Sequence, residues 1–178
     1  MGLRDRRQER REERRGGGAA GPEVFQMREK LIAIGDDYWI ETSAGRRAYK
    51  VDGKALRVRD TFTNRDAGGG VVATMQERVA RVRDTMKIDR PGKPSATVKK
   101  AMITPLRDRY TIEADDIGEF SVQGNIVDHE YTFEQSGRKI AEVSKRWLRV
   151  RDTFGVQVEP GTDEVLVLAA TAAIDSMS

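Results

Sequence analysis

Arg57-Val58-Arg59-Asp60-Thr61-Phe62 returns as Arg81-Val82-Arg83-Asp84-Thr85-Met86 and again as Arg149-Val150-Arg151-Asp152-Thr153-Phe154. Looser copies of the same phrase, an aspartate leading through an aromatic residue into a β-type tail, start at Asp36, Asp108 and Asp128. The six aspartates are therefore 24, 24, 24, 20 and 24 residues apart. Self-similarity at a period of this length marks one supersecondary unit repeated along the chain. Turn chemistry follows each copy: Ser43-Ala44-Gly45, Asp66 to Gly70, Pro91-Gly92, Asp115 to Gly118, Ser136-Gly137 and Pro160-Gly161. Each copy thus opens the first arm of a hairpin, and the glycine-containing turn closes it.

The second arms read as Arg47 to Val51, Val71 to Met75, Ser95 to Lys99, Glu119 to Val122 and Lys139 to Val143, and Val24 to Leu31 adds a strand before the first copy. That makes about twelve strands. In Leu56-Arg57-Val58-Arg59 the apolar and charged residues alternate, which predicts a half-buried strand with both arginines outward. A sheet solvated on one face and joined by tight turns is antiparallel.

The last segment changes period. Thr162-Asp163-Glu164 supplies a helix cap and first-turn acids, and the run from Val165 to Ile174 is apolar on every side apart from Thr171. A helix that is apolar all round must be buried all round, and this one is too short to span a bilayer, which needs about 20 residues. A closed sheet of about eight strands is filled by its own side chains, whereas one of about twelve leaves a lumen. A helix about 10 Å across occupies such a space. The expected fold is mainly β: a closed antiparallel barrel of about twelve strands, six hairpin repeats, threaded by a C-terminal hydrophobic helix from Asp163 to Asp175.

Composition narrows function by exclusion. Cysteine is absent, which removes thiolate nucleophiles, disulfides and cysteine-based metal sites. Residues 1–21 hold seven arginines against four acids, while the remaining residues hold 25 basic against 25 acidic side chains, so the tail carries the whole net charge of +3. The folded part has no basic excess of the kind nucleic-acid binding requires. The expected organisation is a disordered Arg/Glu-rich and Gly-rich tail over 1–21 and one barrel domain over 22–178.

Met27-Arg28-Glu29-Lys30-Leu31 with Ile34-Gly35-Asp36-Asp37, Lys54 to Phe62, Val127-Asp128-His129-Glu130-Tyr131, Val143-Ser144-Lys145-Arg146-Trp147, Arg151 to Val156 and the closing apolar helix resemble, in order, the LURP-one-related family of the tubby-like superfamily, which also includes the phospholipid scramblases. The resemblance spans Val24 to about Asp175. It implies a barrel around a central hydrophobic helix, members regarded as non-enzymatic, and a recurring association with membranes or phosphoinositides. The phosphoinositide-binding residues of tubby proteins have no matching motif here, so none is carried over.

The repeated Asp36, Asp60, Asp84, Asp108, Asp128 and Asp152 are expected to be structural joints, each capping a bend through the backbone and pairing with a neighbouring arginine, because a joint recurs at every repeat and a catalytic site does not. His129 is the sole histidine, and in an extended Asp128-His129-Glu130 successive side chains point to opposite faces, which is poor ligand geometry. No catalytic, cofactor or metal residues are expected. The candidate anion or lipid patch is Lys145, Arg146, Trp147 and Arg149 with Lys99 and Lys100, tryptophan beside cations suiting a headgroup interface. The competing reading of Trp147, and the reading adopted for Trp39, is core. The expected function is a non-catalytic binding module, cytoplasmic and peripheral at an anionic membrane or phosphoinositide-like headgroups, with a protein-interaction scaffold or a ligand-carrying barrel as alternatives.

Overall fold

The computed structural model describes residues 21–29, 38–52, 61–78, 85–101, 108–148 and 151–178. Twelve strands run in order: β1 (Glu23–Arg28), β2 (Tyr38–Thr42), β3 (Arg47–Asp52), β4 (Thr61–Asp66), β5 (Val71–Arg78), β6 (Thr85–Arg90), β7 (Lys93–Lys100), β8 (Asp108–Ala114), β9 (Gly118–Asn125), β10 (Glu130–Gln135), β11 (Arg138–Ser144) and β12 (Thr153–Val158). A 3-10 turn, Lys145–Trp147, separates β11 from β12, and helix α1 (Glu164–Met177) ends the chain. Every strand is antiparallel to its neighbours. The sheet closes because β1 lies between β2 and β12, pairing with β12 over six residues from Glu23↔Val158 to Arg28↔Thr153. The strand expected over Leu56 to Arg59 lies outside the described residues.

Each strand sends alternate residues inward, as in the pairs Phe25/Met27, Met86/Ile88, Tyr110/Ile112 and Tyr131/Phe133. They meet α1, whose residues from Leu166 to Ile174 are all buried. Four of those nine are alanines, so the helix is thin enough for twelve strands to surround it. The helix begins at the expected Asp163 cap, which accepts the Leu166 amide at 3.1 Å, and ends two residues beyond the expected Asp175. Thr171, inside the apolar run, donates to the Val167 carbonyl at 2.8 Å and so is satisfied locally.

The hairpin turns match their sequence signals. Ser136 and Gly137 both have positive φ, 50° and 76°, the two-residue turn whose twist suits paired strands. Just before four of the turns the register slips, at Ile40/Glu41, Asn64/Arg65, Ile88/Arg90 and Phe133/Glu134, so the repeat includes a bulge. Bulges bend the strand and increase its twist, which helps the wall curl around α1.

Candidate functional site

Because the hairpins run in sequence, the two ends of the barrel differ in kind. The tight turns gather at one end with the α1 N-terminus. The longer connections, 29–37, 53–60, 79–84, 101–107, 126–129 and 145–152, join strand ends at the other, beside the α1 C-terminus. These longer connections carry eleven lysines and arginines against seven acids, whereas the tight-turn connections and the β12–α1 link carry one arginine against four acids. By sequence the longer connections thus sum to +4 and the tight-turn connections with the β12–α1 link to −3, and among the described residues the longer connections contribute Lys145, Arg146 and Arg151 beside Glu29, Asp128 and Asp152.

At the basic end, Lys145-Arg146-Trp147 forms a 3-10 turn held by one acid. Glu130 accepts from the Ser144 hydroxyl at 2.9 Å, the Lys145 amide at 3.2 Å and the Arg146 guanidinium at 3.1 Å. Lys145 also pairs with Glu29 at 2.8 Å. The indole of Trp147 is 37% exposed and lies over Gly155, where an added Cβ would fall 2.9 Å from its Cε3. Trp147 is thus neither core nor free, since one face covers β12. Val127, at the β9–β10 connection of the same end, is 70% exposed.

The other expected patch residues sit elsewhere. Lys99 pairs with Glu113 at 2.6 Å, and Lys100 donates to the Met177 carbonyl at 3.1 Å, placing a cation at the negative end of the helix dipole. Both are on β7, with β8, β9 and β10 between them and β11, so the structure does not bring them together with Lys145–Trp147. Arg149, Asp36, Asp60 and Asp84 lie outside the described residues, and Asp108 opens β8. Asp128 exchanges hydrogen bonds with Asn125 across the β9–β10 turn, at 2.6 and 3.1 Å. Asp152, at φ 57°, accepts the Glu29 amide on its carbonyl at 2.9 Å.

His129 is not extended as expected. It sits in the β9–β10 turn at φ 53°, stacks on Phe154 with ring centroids 4.3 Å apart, and places Nε2 2.7 Å from the Asp175 carboxylate near the end of α1. Its neighbours Asp128 and Glu130 turn away to the bonds just described. Tyr38 and Tyr131 approach the same carboxylate. Burial first, and then Asp175, push both hydroxyls well above their ordinary range, so they stay protonated. This buried polar group closes the basic end of the lumen. Among the described residues no cluster of three or more histidine, aspartate or glutamate side chains could hold a metal.

A second feature was not legible in the sequence. β1 pairs with β2 only at Phe25↔Thr42 and Gln26↔Glu41, and past that point the two strands are no longer paired. A cleft of about 240 Å³ lies there, lined by Gln26, Met27, Arg28, Tyr38, Trp39, Glu41 and Arg47. Trp39, expected in the core, faces outward because it alternates with the buried Tyr38 and Ile40. The Arg47 guanidinium lies over its ring, 5.0 Å from the centroid. On the far side of β1, Gln26 pairs with Gly155, the residue beneath Trp147, so the cleft and the Lys145–Trp147 turn flank the same strand.

A model of the LURP-one-related family matches residues 23–175, from the first residue of β1 to the last turn of α1. The chain belongs to the LURP-one-related family. It is 20% identical over 149 residues to the uncharacterised protein YxjI of Bacillus subtilis, covering 84% of this chain and 90% of that protein. Its fold is similar to that of a protein of Arabidopsis thaliana solved by X-ray crystallography, with a TM-score of 0.63 at 18% identity, covering 89% of this chain and 94% of the other. This LURP-one-related chain is thus a closed twelve-strand barrel around a single C-terminal helix, a fold it shares with the Arabidopsis protein.

Proposed function

We propose that this LURP-one-related protein is a non-catalytic binding module that docks, peripherally and from the cytoplasmic side, on an anionic lipid surface through the basic end of its barrel. The observation that carries the reading is the exposure of Val127 and Trp147 beside Lys145 and Arg146 at one end of the barrel, opposite the end whose tight turns are acidic. A basic surface is drawn to anionic headgroups, and an exposed aliphatic side chain beside a half-exposed indole suits the headgroup boundary. Among the described residues no helix is long and apolar enough to cross a membrane, so the contact is made from one side.

Co-sedimentation with vesicles of phosphatidylcholine, with and without phosphatidylglycerol, tests this. Binding is expected only with the anionic lipid. It should fall about fivefold in Val127→Glu, since an exposed position tolerates the change without loss of folding. Removing residues 1–21 should leave most of the binding in place. Absence of binding to anionic vesicles, or equal binding by V127E, overturns the reading and leaves a protein-interaction scaffold.

A further inference from the structure

We infer that the cleft between β1 and β2 is a binding site for a phosphate monoester. The cleft lies in the wall next to the docking end, across β1 from the Lys145–Trp147 turn, but its occupation by a soluble ligand does not depend on the membrane reading. The wall is paired normally everywhere around β1 except here, where pairing with β2 stops at Gln26↔Glu41 while pairing with β12 continues to Arg28. Inward-facing Met27 and Tyr38 then become the floor of a recess, and outward-facing side chains of three strands become its rim.

That rim is rich in donors. Arg28 comes from β1 and Arg47 from β3, with the Gln26 amide between them and β2. Arg47 lies over the Trp39 ring and is only loosely paired with a carboxylate. Among the described residues its carboxylate neighbour is Glu41 at 4.0 Å, beyond hydrogen-bond reach. Such a stacked guanidinium is pre-organised as a fork for an oxyanion. Tyr38 contributes its ring to the floor, while its hydroxyl is buried away from the opening. It feels both Arg28 at the rim and Asp175 inside.

Two guanidinium forks and an amide offer more hydrogen bonds than the roughly four lone-pair sites of a carboxylate can accept. A phosphate monoester has three terminal oxygens, enough to engage both forks, and its charge near −2 is met by the two arginines less the one unit that Glu41 takes back. Glu41, the one acid in the cleft, is placed to accept from a hydroxyl on the carbon part of the ligand. A recess of about 240 Å³ limits that part to a few carbons or to the head of a lipid.

Trp39 makes the test direct. In the full chain carrying Trp147→Phe, which leaves Trp39 as the only tryptophan, sn-glycerol 3-phosphate should change the emission saturably. Binding should weaken at least about tenfold in Arg28→Gln and in Arg47→Gln. Arg138→Gln, on β11 and away from the cleft, should leave it unchanged. No saturable change, or the same affinity in R28Q and R47Q, overturns the inference. Vesicles identify the source of the group. Preference for phosphatidic acid, a monoester, over phosphatidylglycerol, a diester, with competition by glycerol 3-phosphate assigns a lipid-borne ligand. Equal binding to both lipids, with the soluble titration intact, assigns a free metabolite. V127E should lower vesicle binding without altering the soluble titration, so the failure of one proposal is distinguishable from failure of the other.

Discussion

Gly124 and Gly155 show how differently two glycines are required. At Gly124, φ is 143° and an added Cβ would stand 2.5 Å from the Glu130 carbonyl oxygen and 2.7 Å from the Tyr131 Cα, both backbone atoms of the paired strand. At Gly155 the obstacle is the Trp147 side chain, 2.9 Å away, which can swing outward. Gly124→Ala should therefore destabilise by roughly 3 kcal/mol or more, through combined strain and clash. Gly155→Ala should cost nearer to about 1 kcal/mol and shift tryptophan emission to the red as the indole is displaced. Urea denaturation with fluorescence measures both. Equal losses would contradict the assignment of backbone against side chain. Neither requirement was readable beforehand, because each depends on what lies across the ladder. The same holds for Trp39. Its residue type suggested core, yet its parity on β2 turns it outward to Arg47.

At the scale of the element, α1 is held at its start by an ion cluster linking three turns. Buried Arg90 reaches Asp163 at 3.0 Å and Asp116 at 2.7 Å, and Lys93 reaches Asp163 at 2.6 Å. Burial works to raise the Asp163 pKa, but the Lys93 hydrogen bond, the Leu166 amide, and the Lys93 and Arg90 charges outweigh it and leave the carboxyl below its ordinary 3.8. A carboxyl whose pKa is lower in the folded chain stabilises fully above about pH 4, and that contribution is lost as the pH falls through the folded value. Melting temperature should accordingly decline below about pH 4. Arg90→Met should melt lower at neutral pH, by the equivalent of roughly 3 kcal/mol for truncating one partner of a buried pair. Its acid limb should also be shallower, because less of the Asp163 shift remains. Scanning fluorimetry from pH 3 to 7 decides this, and an unchanged acid limb in R90M would remove Arg90 from the cap. The cap residue was visible in Thr162-Asp163-Glu164; its partners, 70 and more residues distant in sequence, were not.

For the whole molecule, the charges matter by position more than by sum. The net charge beyond residue 21 is zero, but by sequence the connections divide into a basic set and an acidic set, and the acidic set forms the tight-turn end of the barrel. If that division drives docking, raising the salt from about 0.1 to 1 M, which shortens the screening length from about 10 to 3 Å, should release most vesicle-bound protein. The melting temperature should move little, since the fold rests on buried apolar contacts. Salt-insensitive sedimentation would instead indicate apolar insertion alone. The sequence by itself determined the strand number, the hairpin pairing, the turns and the central helix. Each of these follows from local periodicity: alternation at two, repetition near 24, and a final run apolar on all faces. Only the tertiary structure decided that β1 joins β12, that β1 and β2 part to leave a cleft, that His129 meets Asp175, and that Lys99 and Lys100 stand apart from Lys145. These are contacts between residues far apart in the chain, set by register and closure of the sheet, and no local pattern encodes which distant side chains a closed wall will bring together.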